Sequence, residues 1–415
     1  MIVDVPFRDD VILVVDTNLG LEVARRLGED GYETYYAVVH ANPYPKLEDE
    51  ICGYGFPEIK KIWDWGEGLD EGAGVIVFID SGFGGFADWL RSKGYYVFGA
   101  DSVSERLELD RVYVRNVLSR LGVDVPPGDV VKGINGVVQL LEQTGEFRFV
   151  KVSRFRGGVE TFGTDDPKEA EMKLRQGGFS IIGDDVWFVL EKMLTGVEIG
   201  VDALFNGAEF LSPVFETIEL RGSGNITKPV EIDDSLWYDT LMKLEPYLMK
   251  NGYHGFFCLE GFYDGSRLYV TDCTPRFPWI CGYAYPKILG NFSEVVISVA
   301  KGEDIRPRPM GKYSAQIGVY TDMPDRWGVI RYRDNDPEWI AYRRVIKKDD
   351  KIWFVPGDYV VAVGVSAEST YTSAIRRATR RARKVSFPSS YYMGYEFLNY
   401  IDVIVDKLAS YGYEW

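Results

Sequence analysis

The sequence predicts a soluble multidomain protein of mixed α/β and α+β class. Its 415 residues suggest two to four domains, and a hydrophobic content of 46% allows a large core. Apolar strand-like runs alternate with amphipathic stretches over the first hundred residues. Strand patterns dominate residues 197–275 and return from about residue 304. These observations predict a doubly wound first domain followed by α+β structure.

Residues 1–100 are predicted to form a small doubly wound, Rossmann-like α/β domain. Four strand-like runs alternate there with amphipathic stretches, at residues 11–16, 34–39, 74–80 and 95–100. The turn after the first run, residues 16–20, reads Asp-Thr-Asn-Leu-Gly and lacks GxGxxG. The sequence therefore argues against a dinucleotide site.

The rest of the chain is predicted to hold two further domains. The first covers residues 101–303 and begins with a helical pattern over 103–121. Within it, residues 128–190 have the pattern of a compact α/β unit with a glycine-rich turn. Residues 304–415 are predicted to form a small mixed α+β domain at the C-terminal end.

Cysteine and histidine are too scarce for several common kinds of site. The four cysteines show no CxxC spacing, so neither a zinc ribbon nor a disulfide scaffold is indicated, and free thiols are expected. The two histidines, His40 and His254, argue against a Ser-His-Asp triad or a histidine-rich metal site. A metal here would bind carboxylate oxygens, which favours magnesium.

Charge and hydropathy argue against nucleic acid and membrane partners. With 63 Asp plus Glu against 47 Lys plus Arg, the net charge of -16 repels phosphate backbones. No apolar run approaches the roughly 20 residues of a membrane span, and the start lacks a signal-peptide pattern, so a cytoplasmic protein is expected. One basic run at helical spacing favours a solvated helix face, with phosphate or partner contacts as the alternative; it comprises Arg376, Arg377, Arg380, Arg381, Arg383 and Lys384.

The strongest chemical signal is a predicted β-hairpin whose turn is Asp-Gly-Ser at residues 264–266. A three-residue loop would pair Glu260 with residue 270 and place Glu260 and Asp272 on one face, whereas a two-residue loop would place them on opposite faces. Two carboxylates converging there, with Arg276 close behind, can hold magnesium against phosphates. The alternative is a surface hairpin with scattered charges.

This hairpin resembles the final motif of the ATP-grasp superfamily, which is an acidic strand, a hairpin and then acidic-x-Asn-x-Arg. Here the motif reads Glu260 and then Asp272-x-Thr274-x-Arg276. The resemblance implies that Glu260 and Asp272 bind Mg²⁺, or Mn²⁺ in its place, and that Arg276 binds the substrate carboxylate or the acyl phosphate. Thr274 replaces the asparagine of the motif. Its hydroxyl offers one oxygen, but it lacks the amide group that asparagine would bring to a second metal site.

An upstream segment, FVKVSRFRGGVETFG at 149–163, resembles the lysine strand and flexible loop that cover the ATP phosphates. The resemblance makes Lys151 a phosphate ligand and residues 128–190 the lid of an ATP-grasp core. Glycines at 157 and 158 let backbone N–H groups approach phosphate, and Arg156 adds positive charge beside Gly157 and Gly158. The alternative is a hairpin turn with a salt-bridging lysine.

A second upstream segment, VLEKMLTGVEIGVDALFNG at 189–207, resembles the hinge strand that binds adenine through backbone groups. The resemblance places Glu191, Lys192 and Leu194 around the base and Glu198 on the ribose hydroxyls.

Residues 97–126 closely resemble the matching segment of phosphoribosylamine-glycine ligases, and Arg111 takes the place of a lysine that contacts ATP phosphate. Arginine is a wider, bidentate donor. Two substrate-recognition elements differ from that family, namely the turn after the first strand and the segment 215–225. The ATP machinery thus resembles that of the family, while a changed acid or amine is expected. Arg221 and Lys228 are candidates for the substrate or γ-phosphate side, with ordinary loop charges as the alternative.

The resemblance implies an EC 6.3-type ligase that uses ATP and Mg²⁺ to activate a small-molecule carboxylate as an acyl phosphate, which an amine then attacks to form an amide. Glycine or another amino acid as the acid, and a nucleotide- or sugar-linked amine, follow from the family likeness alone. Two alternatives remain open. One is a phosphotransferase on the same fold, and the other is a catalytically degenerate nucleotide-binding protein.

Overall fold

The computed structural model describes residues 7–39, 44, 46–155, 160–179, 181, 183–279, 281–333 and 337–415. Among these residues, no helix is both long and apolar enough to cross a membrane. Three of the cysteines, Cys52, Cys258 and Cys273, are buried free thiols, as the sequence predicted.

The N-terminal part is a parallel five-stranded sheet, as the alternating pattern predicted. Its strands are ordered β3-β2-β1-β4-β5. Alternate side chains of β1 pack into two separate apolar clusters, so both faces of the sheet are covered. The elements are β1 (Arg8–Asp16), α1 (Leu21–Glu29), β2 (Glu33–Val38), α2 (Leu47–Glu50), β3 (Lys60–Ile62), α3 (Trp65–Asp70), β4 (Ala73–Phe78), α4 (Gly84–Ser92) and β5 (Tyr96–Phe98).

The next segment contains two helices where the sequence pattern predicted one over 103–121. They are α5 (Arg106–Leu109) and α6 (Arg111–Arg120). Asp110 separates them with an extended backbone, φ -133° and ψ 96°. Its carboxylate accepts the N–H of Tyr113 at 3.0 Å and so caps α6. The break places Arg111 at the first position of α6.

Residues 128–192 form a compact α/β unit in the region where the sequence suggested one over 128–190. Its antiparallel sheet has the order β6-β9-β7-β8 and an apolar cluster of its own. The unit is called the lid below. Its elements are β6 (Gly128–Lys132), α7 (Gly133–Thr144), β7 (Arg148–Val152), β8 (Thr161–Thr164), α8 (Pro167–Leu174) and β9 (Trp187–Lys192).

A nine-stranded sheet forms the centre of the molecule, in the order β14-β13-β10-β11-β12-β15-β20-β17, with β22 beside β15. Strand β12 pairs with β15, so one sheet continues across residue 303, where the sequence suggested a domain boundary. The elements up to that point are β10 (Val197–Phe205), β11 (Val214–Leu220), β12 (Gly224–Val230), α9 (Tyr238–Asn251), β13 (Gly255–Tyr263), β14 (Leu268–Thr274), α10 (Cys281–Ile288) and α11 (Phe292–Lys301).

The C-terminal part adds strands to the central sheet and a separate small sheet, β18-β19-β16-β21. Its elements are β15 (Tyr313–Thr321), β16 (Gly328–Tyr332), β17 (Ile340–Tyr342), β18 (Val345–Lys348), β19 (Lys351–Phe354), β20 (Val360–Glu368), α12 (Tyr371–Ala382), β21 (Val385–Ser386), β22 (Ser390–Tyr391) and α13 (Gly394–Ser410). The basic run lies on and just after α12, where Arg376, Arg377 and Arg380 are exposed and Arg381 is buried.

Candidate active site

The β13–β14 hairpin places Glu260 directly opposite Asp272. Its loop is not the predicted three-residue one, because Tyr263 pairs with Leu268 and four residues lie between them. A register shift between Glu260 and Gly261 inserts one extra residue and returns both carboxylates to one face. The predicted convergence is therefore present, but a bulge produces it.

Several other carboxylates lie close to Glu260. Its pKa is raised to about 8, first by desolvation and then by neighbouring carboxylates, of which Asp272 and Glu219 act most strongly. The side chain is nevertheless exposed, because it lines an open cleft. A bound cation would relieve the repulsion between these carboxylates.

Arg111 bridges this pair to the lid. Its Nη1 lies 3.2 Å from Asp272 Oδ2, and its Nη2 lies 3.1 Å from Glu160 Oε1. Its side chain is 14% exposed, so an incoming anion would meet a largely desolvated guanidinium.

Lys151 joins the lid to the central sheet. Its Nζ lies 2.8 Å from Glu191 Oε2 and donates to the Thr271 carbonyl at 3.0 Å. The other Glu191 oxygen is 3.8 Å from Arg115 Nη1. Together with Arg111 and Asp272, these side chains line a small cavity between β9 and β14. The structure thus brings two residues predicted to bind the nucleotide, Lys151 and Arg111, into one cavity with Asp272.

A cleft of about 570 Å³ opens beside this cavity, over β10 to β13. It is lined by five of the residues predicted from the sequence, namely Glu198, Arg221, Glu260, Thr274 and Arg276, and also by Glu219. The pKa of Glu219 is raised to about 7, by desolvation first and then by Glu198 and Asp202. The pKa of Glu198 is also raised by desolvation.

Arg276 is already held by two carboxylates. Its Nη2 lies 2.8 Å from Glu108, and its Nε lies 3.1 Å from Asp80, which follows β4 in the N-terminal sheet. Although burial lowers it, the pKa of Arg276 is raised overall by Glu108 and Asp80. Nη1 and Nη2 each carry a second N–H. A substrate carboxylate would therefore meet a fixed and fully charged guanidinium.

Several predicted residues lie apart from this group. Lys192 is exposed and pairs with Glu146 at 3.1 Å, and Lys228 donates to the Glu414 carbonyl at 2.9 Å. Leu194 lies in the connection between β9 and β10. The loop residues Arg156, Gly157 and Gly158 lie outside the described residues, so their predicted role remains a prediction.

The sequence reasoning missed Glu219, Asp80 and Glu108. Glu219 lies within the segment 215–225 that was singled out, two residues before Arg221, and the alternation of a strand is the signal that could have identified it. Asp80 and Glu108 contact Arg276 only through the packing of segments that are distant in sequence, which no local pattern shows.

No group of three or more His, Cys, Asp or Glu side chains is positioned to hold a metal within the described part of the chain. A magnesium bound between protein and nucleotide needs only one or two carboxylates, because phosphate oxygens and water complete its octahedron. Glu260 and Asp272, which are hard oxygen donors with repelling charges, fit that requirement.

Comparisons with known proteins agree with this architecture. No family model matches the chain. It is 27% identical over 194 residues to the carbamoyl phosphate synthase large chain of Thermomicrobium roseum, covering 45% of this chain and 18% of that one. The corresponding protein of Thermotoga neapolitana is 22% identical over 264 residues, covering 61% and 22%. The chain thus spans about a fifth of the length of these curated relatives.

Solved structures match nearly the whole chain. The biotin carboxylase domain of Hydrogenobacter thermophilus 2-oxoglutarate carboxylase, in complex with MgADP, has a TM-score of 0.69 and 17% identity, covering 92% of this chain and 91% of that one. An N5-carboxyaminoimidazole ribonucleotide synthetase from Thermus thermophilus has a TM-score of 0.61 and 15% identity, covering 90% and 98%. The predicted resemblance is confirmed at the level of the fold, and the chain has the fold of the ATP-grasp ligases. Phosphoribosylamine-glycine ligase from Thermotoga maritima, with a TM-score of 0.70 and 19% identity, covers 92% of this chain and 98% of its own.

Proposed function

We propose that the protein is a carboxylate-amine ligase that forms an amide through an acyl phosphate and releases ADP and phosphate. The observation that carries this proposal is Glu260 directly opposite Asp272, with Arg111 bridging Asp272 to the lid, in a fold shared with a protein solved with MgADP. Oxygen ligands beside a buried cation are what phosphoryl transfer requires.

ATP would bind between the lid and the central sheet. Lys151 and Arg111 would contact its phosphates, since both are cations of the small cavity and both lie close to Asp272. Each would exchange a carboxylate partner, Glu191 or Glu160, for phosphate oxygens. Glu191 and Leu194, which lie where the lid leads into β10, would contact the base, and Glu198 is the candidate for the ribose hydroxyls.

Magnesium held by Glu260 and Asp272 would neutralise charge on the transferred phosphoryl group. The substrate acid would bind Arg276, whose guanidinium Glu108 and Asp80 orient into the cleft. Its carboxylate oxygen attacks the γ-phosphorus in line, and ADP leaves. Thr274 would offer a hydroxyl near this point. The amine, after losing a proton to solvent, would then attack the acyl carbon through its nitrogen lone pair. Phosphate would depart with the electrons of the C–O bond, and the nitrogen would lose a second proton to solvent to give the neutral amide. Neither step needs a cysteine or histidine.

Magnesium-dependent ADP formation over a panel of carboxylic acids and amines tests the proposal. Turnover that requires both an acid and an amine, with one free phosphate per ADP, supports a ligase. A product that retains the phosphate would instead identify a phosphotransferase. Binding of Mg-ATP without turnover over the whole panel would favour the degenerate nucleotide-binding protein.

A further inference from the structure

One wall of the large cleft is built from β11 and β12 and carries polar groups that the ligase chemistry above does not use. Glu219 lies directly opposite Asn225 in the β11–β12 register, and Thr217 and Arg221 line the cleft beside them. This group of four residues is called the β11–β12 wall below. It lines the same cleft as Glu260.

Asn225 is buried but incompletely satisfied. Its side chain is 3% exposed, and its Oδ1 accepts the Thr227 hydroxyl at 3.3 Å. Its Nδ2 donates to no residue of the described part of the chain, although the residue lines the cleft. The amide N–H groups of Asn225 are therefore available to an oxygen of a molecule bound in the cleft.

Glu219 also lacks a partner. No described side chain or backbone group hydrogen-bonds to its carboxylate or forms an ion pair with it, and Glu198 of the same cleft is in the same situation. Arg276 is already held by Glu108 and Asp80, and Arg221 attracts the Glu219 carboxylate only from an exposed side chain that forms no ion pair with it. One divalent cation would balance Glu260 and Asp272 only. The cleft therefore keeps an unmatched negative charge at the β11–β12 wall.

The N-terminal sheet offers no compensating phosphate site. A helix that follows the first strand of a doubly wound sheet usually presents free N–H groups to an anion. Here the Asp16 carboxylate accepts the N–H groups of Thr17 at 2.7 Å, Leu19 at 2.7 Å and Gly20 at 2.9 Å, and also the Tyr36 hydroxyl. Asp16 is fully buried. The chain thus supplies its own anion at the turn where a phosphate would bind.

We propose that the amine substrate is an unphosphorylated primary ammonium compound with a carbonyl beside the nitrogen, of the amino acid or peptide type, and that the β11–β12 wall recognises it. Glu219 accepts hydrogen bonds from the ammonium group, and Asn225 Nδ2 donates to the neighbouring carbonyl oxygen. This inference rests on the proposed function, and it departs from the sugar- or nucleotide-linked amine that the family likeness alone implies.

Titration calorimetry of the full-length protein with two sets of probes tests the proposal. One set is a panel of L-amino acid amides and glycinamide, which have an ammonium and a carbonyl but no carboxylate to occupy Arg276. The other is O-phosphoethanolamine and glucosamine 6-phosphate. Each is titrated with and without Mg-ATP. We expect at least one amide to bind more tightly than both phosphorylated amines. Glu219→Gln should weaken that binding about 10- to 100-fold, as expected for losing a charged hydrogen-bond acceptor.

Two further measurements separate recognition of the amine from other roles of Glu219. Glu396→Gln removes the same charge from the exposed face of α13 and should leave amide binding unchanged. The magnesium dependence of ATP binding should be equal in wild type and Glu219→Gln. A shift in that dependence with unchanged amide binding would mean that Glu219 holds a second metal, and it would overturn the proposal.

Tighter binding of the phosphorylated amines, or no binding by any amide, would also overturn the inference. Failure of the ligase proposal has a different signature. If Mg-ATP does not bind while Glu219-dependent amide binding persists, the ligase is refuted and the ammonium site remains.

Discussion

Neutralising either member of the carboxylate pair is expected to abolish most magnesium-dependent turnover. Glu260→Gln and Asp272→Asn keep side-chain shape but remove an anionic oxygen ligand from positions that face each other across the hairpin. Losing one preorganised electrostatic group from such a site costs roughly 100-fold or more in turnover, about 2.7 kcal/mol. Folding should survive, because the cleft carries an excess of negative charge that each substitution reduces.

The two variants should differ in a way that the structure specifies. Asp272 is the ion-pair partner of Arg111 at 3.2 Å, whereas Glu260 has no cationic partner among the described residues. Asp272→Asn should therefore raise the KM for ATP as well as the magnesium concentration at half-maximal rate. Glu260→Gln should mainly change the magnesium dependence.

ADP formation against magnesium and against ATP measures both quantities, with circular dichroism as the check of folding. Asp233→Asn and Glu396→Gln are matched controls at exposed positions and should behave as wild type. Near-normal turnover at low magnesium in both pair variants would refute the reasoning, since the hairpin would then be structural and the active site would lie elsewhere.

Four other outcomes are expected. Mg-ATP should slow hydrogen exchange in the lid, residues 128–190, because bound phosphates would tie Lys151 and Arg111 to the central sheet; equal exchange with confirmed binding would contradict this. Arg276→Lys should lower turnover about 100-fold, since a point charge cannot replace a planar fork, and normal kinetics would remove Arg276 from the site. Burial and like charges raise the Glu260 pKa from 4.5 to about 8, so its ionisation costs stability as pH rises between these values. Metal-free Glu260→Gln should therefore have a higher free energy of unfolding than wild type at pH 8 and an equal one near pH 4.5. Urea unfolding at both pH values measures this difference, and equal free energies at pH 8 would contradict the prediction. The chain should not restore growth to a strain that lacks phosphoribosylamine-glycine ligase, and robust rescue would show that phosphoribosylamine is its amine.

Local patterns predicted the parallel N-terminal sheet and the elements of the lid, because hydrophobic periodicity and turn residues are properties of short segments. The break between α5 and α6 was missed because one capping carboxylate, Asp110, outweighs the helical pattern on either side. The continuation of the central sheet from β12 to β15 was missed because it joins residues some ninety positions apart.

In the candidate site, too, the features that depend on a short segment could be predicted, and those that depend on distant segments could not. Glu260 and Asp272 belong to one hairpin, so their proximity could be predicted, but the bulge that aligns them could not be, because the register depends on the whole sheet. Lys151 and Arg111 follow motifs, and the structure brings both to the small cavity between β9 and β14, while their contact with phosphate stays a prediction. Glu219 was missed because a strand carboxylate has no signature until the cleft that it lines is assembled.

The turn after β1 is connected to Arg276 through Asp80. In the turn after β1, Asp16 binds the N–H groups that would otherwise be available to an anion, and this fixes the turn. The fixed turn presents Thr17, whose hydroxyl donates to Asp80 Oδ2 at 2.8 Å, while Asp80 Oδ1 lies 3.1 Å from Arg276 Nε. The turn therefore acts as a support for the arginine that would bind the substrate acid. The N-terminal sheet would thus position the substrate acid through Arg276. The amine would be recognised by the β11–β12 wall, where Glu219 supplies the charge that an ammonium group requires.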